Sequence, residues 1–236
     1  MEKVSPWHSR TNQLVLAASI SALLAHFYGD LVVNGVQYYW GASGDYLQSK
    51  WTSFLDLIGH NDFYLYVVGI VLSIQISFWG VGSIFIYMDL TGRPKWARKY
   101  KIQPGKNEPL DMKRLIETVK VVLFNQWVVG TPLFVLSYFI KKYTNTIPPV
   151  DELPTMTRFL VDMLIMTVID EFGLYYVHRL QHHPKLYSWV HKKHHEWPAP
   201  IAIVFVYSTV TEYLMNAIPV TSGPLLLDRR NSRMSF

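Results

Sequence analysis

Six of the nine histidines lie between His178 and His195, in two groups: His178, His182 and His183, then, after Pro184, His191, His194 and His195. On a helix, residues three or four apart share a face one turn apart. Each group can therefore aim several imidazoles at one point. Neutral imidazole is the commonest biological metal ligand, and paired helical histidines with open positions suit zinc, iron or copper. Protonated rings crowded beside Arg179, Lys185, Lys192 and Lys193 would repel one another, so a metal is the natural way to keep them neutral and close. The competing interpretation is a solvated basic helix beside the membrane that binds acidic lipid head groups. The His-Glu-x-x-His pattern of zinc proteases is missing, which argues against that chemistry. Cysteine is absent, so neither a disulfide nor a thiolate metal site can form and any metal takes nitrogen or oxygen ligands.

Two carboxylates, Asp170 and Glu171, precede the first group by about two helical turns. Glu171, Tyr175, His178 and His182 follow one helical stripe. An acid inside a membrane segment is costly, and a functional role is the default expectation. Asp170 and Glu171 can orient ligand histidines by accepting their second N–H. Pairing with Arg179 or a lysine at a helix end accounts for them equally well.

The elements that position these groups read as membrane helices. Half of the 236 residues are apolar and 15% aromatic, with eight tryptophans, while only 17% are charged; soluble domains usually carry about 25%. The net charge of +5 falls in blocks beside apolar runs, which points to membrane-flanking charge rather than a nucleic-acid surface. Leu14 to Val33 is long enough to cross a bilayer and exceeds the core of a cleavable signal, so it reads as a retained anchor. Phe63 to Met88 carries no Lys, Arg, Asp or Glu. Leu115 to Ile140 carries Lys120 near one end, and its Asn125 and Gln126 require partners inside a bundle. Phe159 to Val177 is weakened by Asp162, Asp170 and Glu171. A last stretch, Ile201 to Leu227, is interrupted by Glu212, Pro219 and Pro224.

The basic loop that begins Arg93-Pro-Lys-Trp-Ala-Arg-Lys-Tyr-Lys and continues to Arg114 belongs in the cytosol. Alternating passes put the N-terminus and His178 to Pro198 on that same side. The fold expected is an all-α multi-pass membrane bundle of about four to five membrane helices with a cytosolic histidine-rich metal site. Residues 1–62 form an N-terminal anchor and lumenal loop, 63–227 an incomplete membrane domain, and 228–236 a polar tail.

The run Tyr175-Tyr-Val-His-Arg-Leu-Gln-His-His-Pro resembles the His-x-x-x-His box, and Tyr187-Ser-Trp-Val-His-Lys-Lys-His-His-Glu-Trp-Pro-Ala-Pro the His-x-x-His-His box, of the fatty acid hydroxylase superfamily, which includes the 4-methylsterol oxidases. The likeness extends loosely over about residues 60 to 224. It implies an endoplasmic-reticulum enzyme with a histidine-ligated two-iron centre facing the cytosol, inserting one atom of O2 into a lipid C–H bond. Electrons would come from NAD(P)H, through cytochrome b5 or a reductase as partner. By this resemblance His178, His182, His191, His194 and His195 match metal-ligand positions, with His183, Asp170 and Glu171 as further ligands or their supports.

Two departures qualify the likeness. The family's Tyr-Ala-His-Pro-like motif followed by Glu corresponds to Tyr207-Ser-Thr-Val-Thr-Glu212, with Thr209 in the histidine's place, and no histidine follows His195 where a third box is expected. Vacant positions imply weak iron binding or a lost second ion. Two alternatives stay open: a catalytically inactive truncated form that binds lipid or a partner, and a protein that handles zinc or copper.

Overall fold

The computed structural model describes residues 43–147 and 149–233 and isolated positions before residue 43, with side chains through residue 223. The expected anchor over 14–33 lies outside the described residues apart from a few positions. All regular structure among the described residues is helical. Helix α1 covers residues 43–58, α2 Tyr64–Thr91, α3 Met112–Tyr143, α4 Met156–Gln181, α5 Pro184–Val190 and α6 Val210–Arg233.

Helices α2 and α3 are long and apolar enough to cross a membrane. Only 17% and 22% of their most apolar windows are buried. The core helix of a soluble protein would be mostly covered, so these two present their apolar faces outward. Each starts where a side chain accepts the first free N–H groups. Asn61 Oδ1 accepts from Phe63 N at 2.9 Å, and Asp111 Oδ1 from Lys113 N at 2.8 Å. Gly92, at φ 65°, stops α2 in a left-handed turn, its N–H donating to Met88 O at 2.8 Å.

The helices alternate in direction, so the loops 92–111 and 182–209 gather at one end. At the other end residues 59–63 meet residues 150–153. There Gln48 Nε2 donates to Asp151 O, Trp51 Nε1 donates to Val150 O, and His60 lies 3.1 Å from both Asp56 and Asp151.

The buried core sits under the histidine loops rather than at mid-bundle. Leu115 and Val122 of α3 pack against Trp197, Ile201, Ile203, Val204 and Val206. The apolar stretch Ile201 to Leu227 is thereby divided into two parts. Residues 201–209 are irregular, with a 3-10 turn at Ala202–Val206, and α6 begins only at Val210. Pro198 and Pro200 deny a continuous helix its N–H donors, and Ile201, Ile203, Val204 and Val206 are buried against α3 instead of facing lipid.

A π turn at Phe124–Gly130 re-phases α3 and buries both Asn125 and Gln126. Asn125 Nδ2 donates to Val206 O at 3.0 Å and Ser208 O at 3.1 Å, and Gln126 Oε1 accepts from Trp79 Nε1 at 3.0 Å. Those are the partners that two amides inside an apolar run require. Helices α4 and α6 pack closely where Gly173 meets Pro219 and Gly223 meets Met166. A Cβ on Gly173 would lie 2.4 Å from Pro219 Cβ.

Candidate metal centre

His178 stands on the last turn of α4 and His182 closes it, its N–H donating to His178 O at 3.1 Å. His183 then turns the chain: it caps α5, its Nδ1 accepting from Lys185 N at 3.3 Å, with Pro184 in the first turn. Seven residues later α5 ends at buried Val190 and delivers His191. The short turn His194–Glu196 adds His195.

Four Nε2 atoms now face one another. His178 and His182 are 3.1 Å apart, His182 and His195 3.3 Å, His191 and His195 3.0 Å, and all four lie within 4.8 Å of one another. Around one ion with nitrogen ligands at about 2.1 Å, adjacent nitrogens would be separated by roughly 3.0 to 3.4 Å. The three short separations fit that donor set. His191 is fully buried, while His178, His182 and His195 are exposed. The cluster is anchored at the bottom and open on one side.

His191 is the anchor. Its Nδ1 lies 2.9 Å from Glu212 Oε1, and both side chains are buried. A neutral ring that donates Nδ1–H to this carboxylate leaves the Nε2 lone pair pointing into the cluster. Burial first, then the four neighbouring rings, push His191 down to about 3. Burial, then the neighbouring His182, likewise lowers His195, and His194 is lowered mainly by burial. These rings stay uncharged at neutral pH, as ligation requires.

Glu212 is held by Thr209. Thr209 Oγ1 donates to Val190 O at 2.7 Å and accepts from Glu212 N at 3.2 Å. It caps α6 and ties it to the end of α5. Thr209-x-x-Glu212 is thus half of a capping box, with the glutamate side chain directed to a histidine instead of back to the cap.

Helix α3 clamps the outer loop. The Arg114 guanidinium stacks 3.9 Å over the Trp197 ring and donates to Glu196 O, and Trp197 Nε1 donates to Thr118 Oγ1 at 3.1 Å. Tyr207 Oη donates to Glu196 Oε2 at 2.6 Å.

The other candidate residues are placed elsewhere. His194 turns away from the four, its Nδ1 3.9 Å from Glu212 Oε1. That nitrogen and Glu212 Oε2 are buried without a hydrogen-bond partner. They border a cavity of about 470 Å³ that Glu171, His178, Arg179 and Asn216 also line. His183 serves α5. Asp170 lies on the α4 stripe between Met166 and Gly173 that faces α6, one carboxylate oxygen buried and unpartnered. Among the described residues, neither it nor Glu171 is hydrogen-bonded to a histidine. Sequence placed Thr209 and Glu212 only in the departed motif after the second box and missed their roles as cap and histidine partner, although a threonine followed three residues later by glutamate before an apolar stretch is a legible signal; the α3 clamp escaped the sequence reading.

Comparison with known proteins sets this geometry in context. The profile of the family described as Fatty acid hydroxylase matches residues 163–235. Human fatty acid hydroxylase domain-containing protein 2 is 36% identical over 233 residues, covering 98% of this chain and 69% of that protein. Fatty acid hydroxylase ahd1 of Mycosarcoma maydis is 35% identical over 65% of this chain and 40% of its own length. Methylsterol monooxygenase 1 of Rattus norvegicus is 29% identical over 70% of this chain and 58% of its own. No solved structure matches.

Proposed function

This chain belongs to the fatty acid hydroxylase family, and from that membership we propose that it is a membrane-bound non-haem iron monooxygenase hydroxylating a fatty-acyl or sterol C–H bond in lipid biosynthesis. The observation that carries the reading is the convergence of four Nε2 atoms within 4.8 Å. His178, His182, His191 and His195 would hold an iron ion, and a second ion, as in the complete family site, would draw on His194 and Glu212. Iron bound there supplies the reduction of O2 by which a substrate RH, O2, two electrons and two protons yield ROH and water. The protein's own work is positional. Glu212 fixes the tautomer of His191, α5 and the α3 clamp hold the second histidine group over the first, and the exposed side of the cluster admits substrate.

The basic loop 93–114 shares its end of the bundle with the histidines, as Asn107 Nδ2 donating to Ala199 O at 2.7 Å attests. Positive charge favours the cytosol, so the centre faces the cytosol from the endoplasmic-reticulum membrane. Electrons then arrive from NAD(P)H through cytochrome b5 or a reductase. The alternative, an inactive lipid- or partner-binding form, draws support from Thr209 acting as a helix cap where a histidine is expected. Reconstituted protein supplied with NADPH, reductase, cytochrome b5 and ¹⁸O2 decides between them. One ¹⁸O atom appearing in a hydroxylated lipid supports the oxygenase; iron-loaded protein that yields no labelled product across acyl and sterol substrates supports the inactive form.

A further inference from the structure

A second cavity, of about 230 Å³, opens between α2 and α3 on one side and α6 on the other, with the Ala202–Val206 turn at one end. Val71, Phe78, Phe134, Ala217 and Val220 give it apolar walls. The amides beside it are engaged: Gln75 Oε1 and Gln126 Oε1 both accept from Trp79 Nε1 at 3.0 Å. It therefore offers little to a polar group. Its α6 wall runs from Tyr213 to Thr221, about 12 Å at 1.5 Å per residue. Pockets that enclose drug-sized ligands measure roughly 300 to 1,000 Å³, so a cavity of 230 Å³ suits a slender chain rather than a whole ring system.

Phe205 and Asn216 line both this wedge and the cavity beside the histidines, so the two adjoin. Asn216 is fixed by Gln181, the fully buried residue next to His182, through a 2.9 Å hydrogen bond. Phe205 is 65% exposed and stands between them. The histidine-side cavity is the polar one: Glu171, Arg179 and Glu212 line it, and Glu212 Oε2 and His194 Nδ1 lack partners.

We propose that the wedge receives the aliphatic tail of a single lipid whose polar end occupies the histidine-side cavity, with Phe205 as the divider between them. Resting on the oxygenase reading, this makes the oxidised carbon one close to the polar end of the lipid and not one at the tail terminus. An acyl chain and the side chain of a sterol share the tail chemistry.

The test is photo-crosslinking of the full chain in lipid nanodiscs with three probes: a fatty acid carrying a diazirine at the tail end, one carrying it beside the carboxyl group, and a sterol carrying it in the side chain. Tail probes are expected to label residues 71–78 or 213–221, and the carboxyl-end probe residues 171–179 or 205–212. Ala217→Trp fills the wedge and should cut tail labelling at least tenfold with metal content unchanged. Should that variant misfold, Ala217→Leu gives the same reading with a smaller fall. Preferential wedge labelling by the acyl or the sterol probe identifies the source of the tail. Tail probes that label the histidine side, labelling indifferent to Ala217→Trp, or no wedge labelling by any probe overturns the proposal. Wedge labelling in a protein that binds no metal would sink the oxygenase reading and leave the tail site standing.

Discussion

Replacing Glu212 by glutamine keeps an oxygen beside His191 Nδ1 but removes the negative charge that the carboxylate would carry beside a bound cation. The two groups are 2.9 Å apart with side-chain exposures of 0% and 2%, so water cannot substitute for the lost interaction. A hydrogen bond to a charged partner is worth about 1.5 to 3 kcal/mol, and about 1.4 kcal/mol corresponds to a factor of ten. Metal affinity should fall roughly 10- to 100-fold, the range typical of outer-shell partners. Competition titration with a chelator of known affinity measures it on detergent-purified protein. Glu212→Asp, one methylene shorter, should not restore binding. Unchanged affinity in a folded Glu212→Gln protein would refute the claim that this carboxylate supports His191 as a ligand.

Thr209→Ala removes the α6 cap and the bond to Val190 O, and should cost about 1 to 2 kcal/mol in denaturant unfolding; Thr209→Ser should recover most of it. Asn125→Leu leaves the carbonyls of Val206 and Ser208 without their donor and should destabilise by about 1 to 3 kcal/mol, with faster hydrogen exchange confined to residues 201–209. Gly173→Ala forces α4 from Pro219, a clash of about 1 to 3 kcal/mol, and should lower metal content because α4 carries His178 while α6 carries Glu212. At the opposite end, hydrogen bonds to Asp56 and then Asp151 raise His60 above its ordinary value. Its contribution is complete below pH 6.5 and is lost as pH rises through the elevated value. The protection factors of residues 150–153, exchange corrected for its intrinsic base-catalysed rate, should therefore fall as pH rises from 6.5 to 8.5, and His60→Gln should remove that change.

The histidine spacing made the cluster legible: one helical turn separates 178 from 182, and a turn with a 3-10 segment brings 195 beside 191. The apolar runs behind α2 and α3 were legible for the same reason, as was the need of Asn125 and Gln126 for partners. Residues 201–209 were not, since hydropathy cannot distinguish side chains buried against a neighbouring helix from side chains facing lipid. The partner of Glu212 was hidden too: sequence shows it as a motif glutamate and an interruption of an apolar stretch, and only the fold brings it 2.9 Å from a ring twenty-one positions earlier. His183 illustrates the converse: sequence groups it with the ligands, while the cap of α5 engages its ring.

The most direct test measures metal identity and stoichiometry in the purified chain and in single alanine variants of His178, His182, His183, His191 and His195. The four-imidazole centre predicts bound iron in the parent chain and in His183→Ala, and its loss in each of the other four. Iron retained in all four of those variants, or a correctly folded parent chain that takes up no metal, would contradict it.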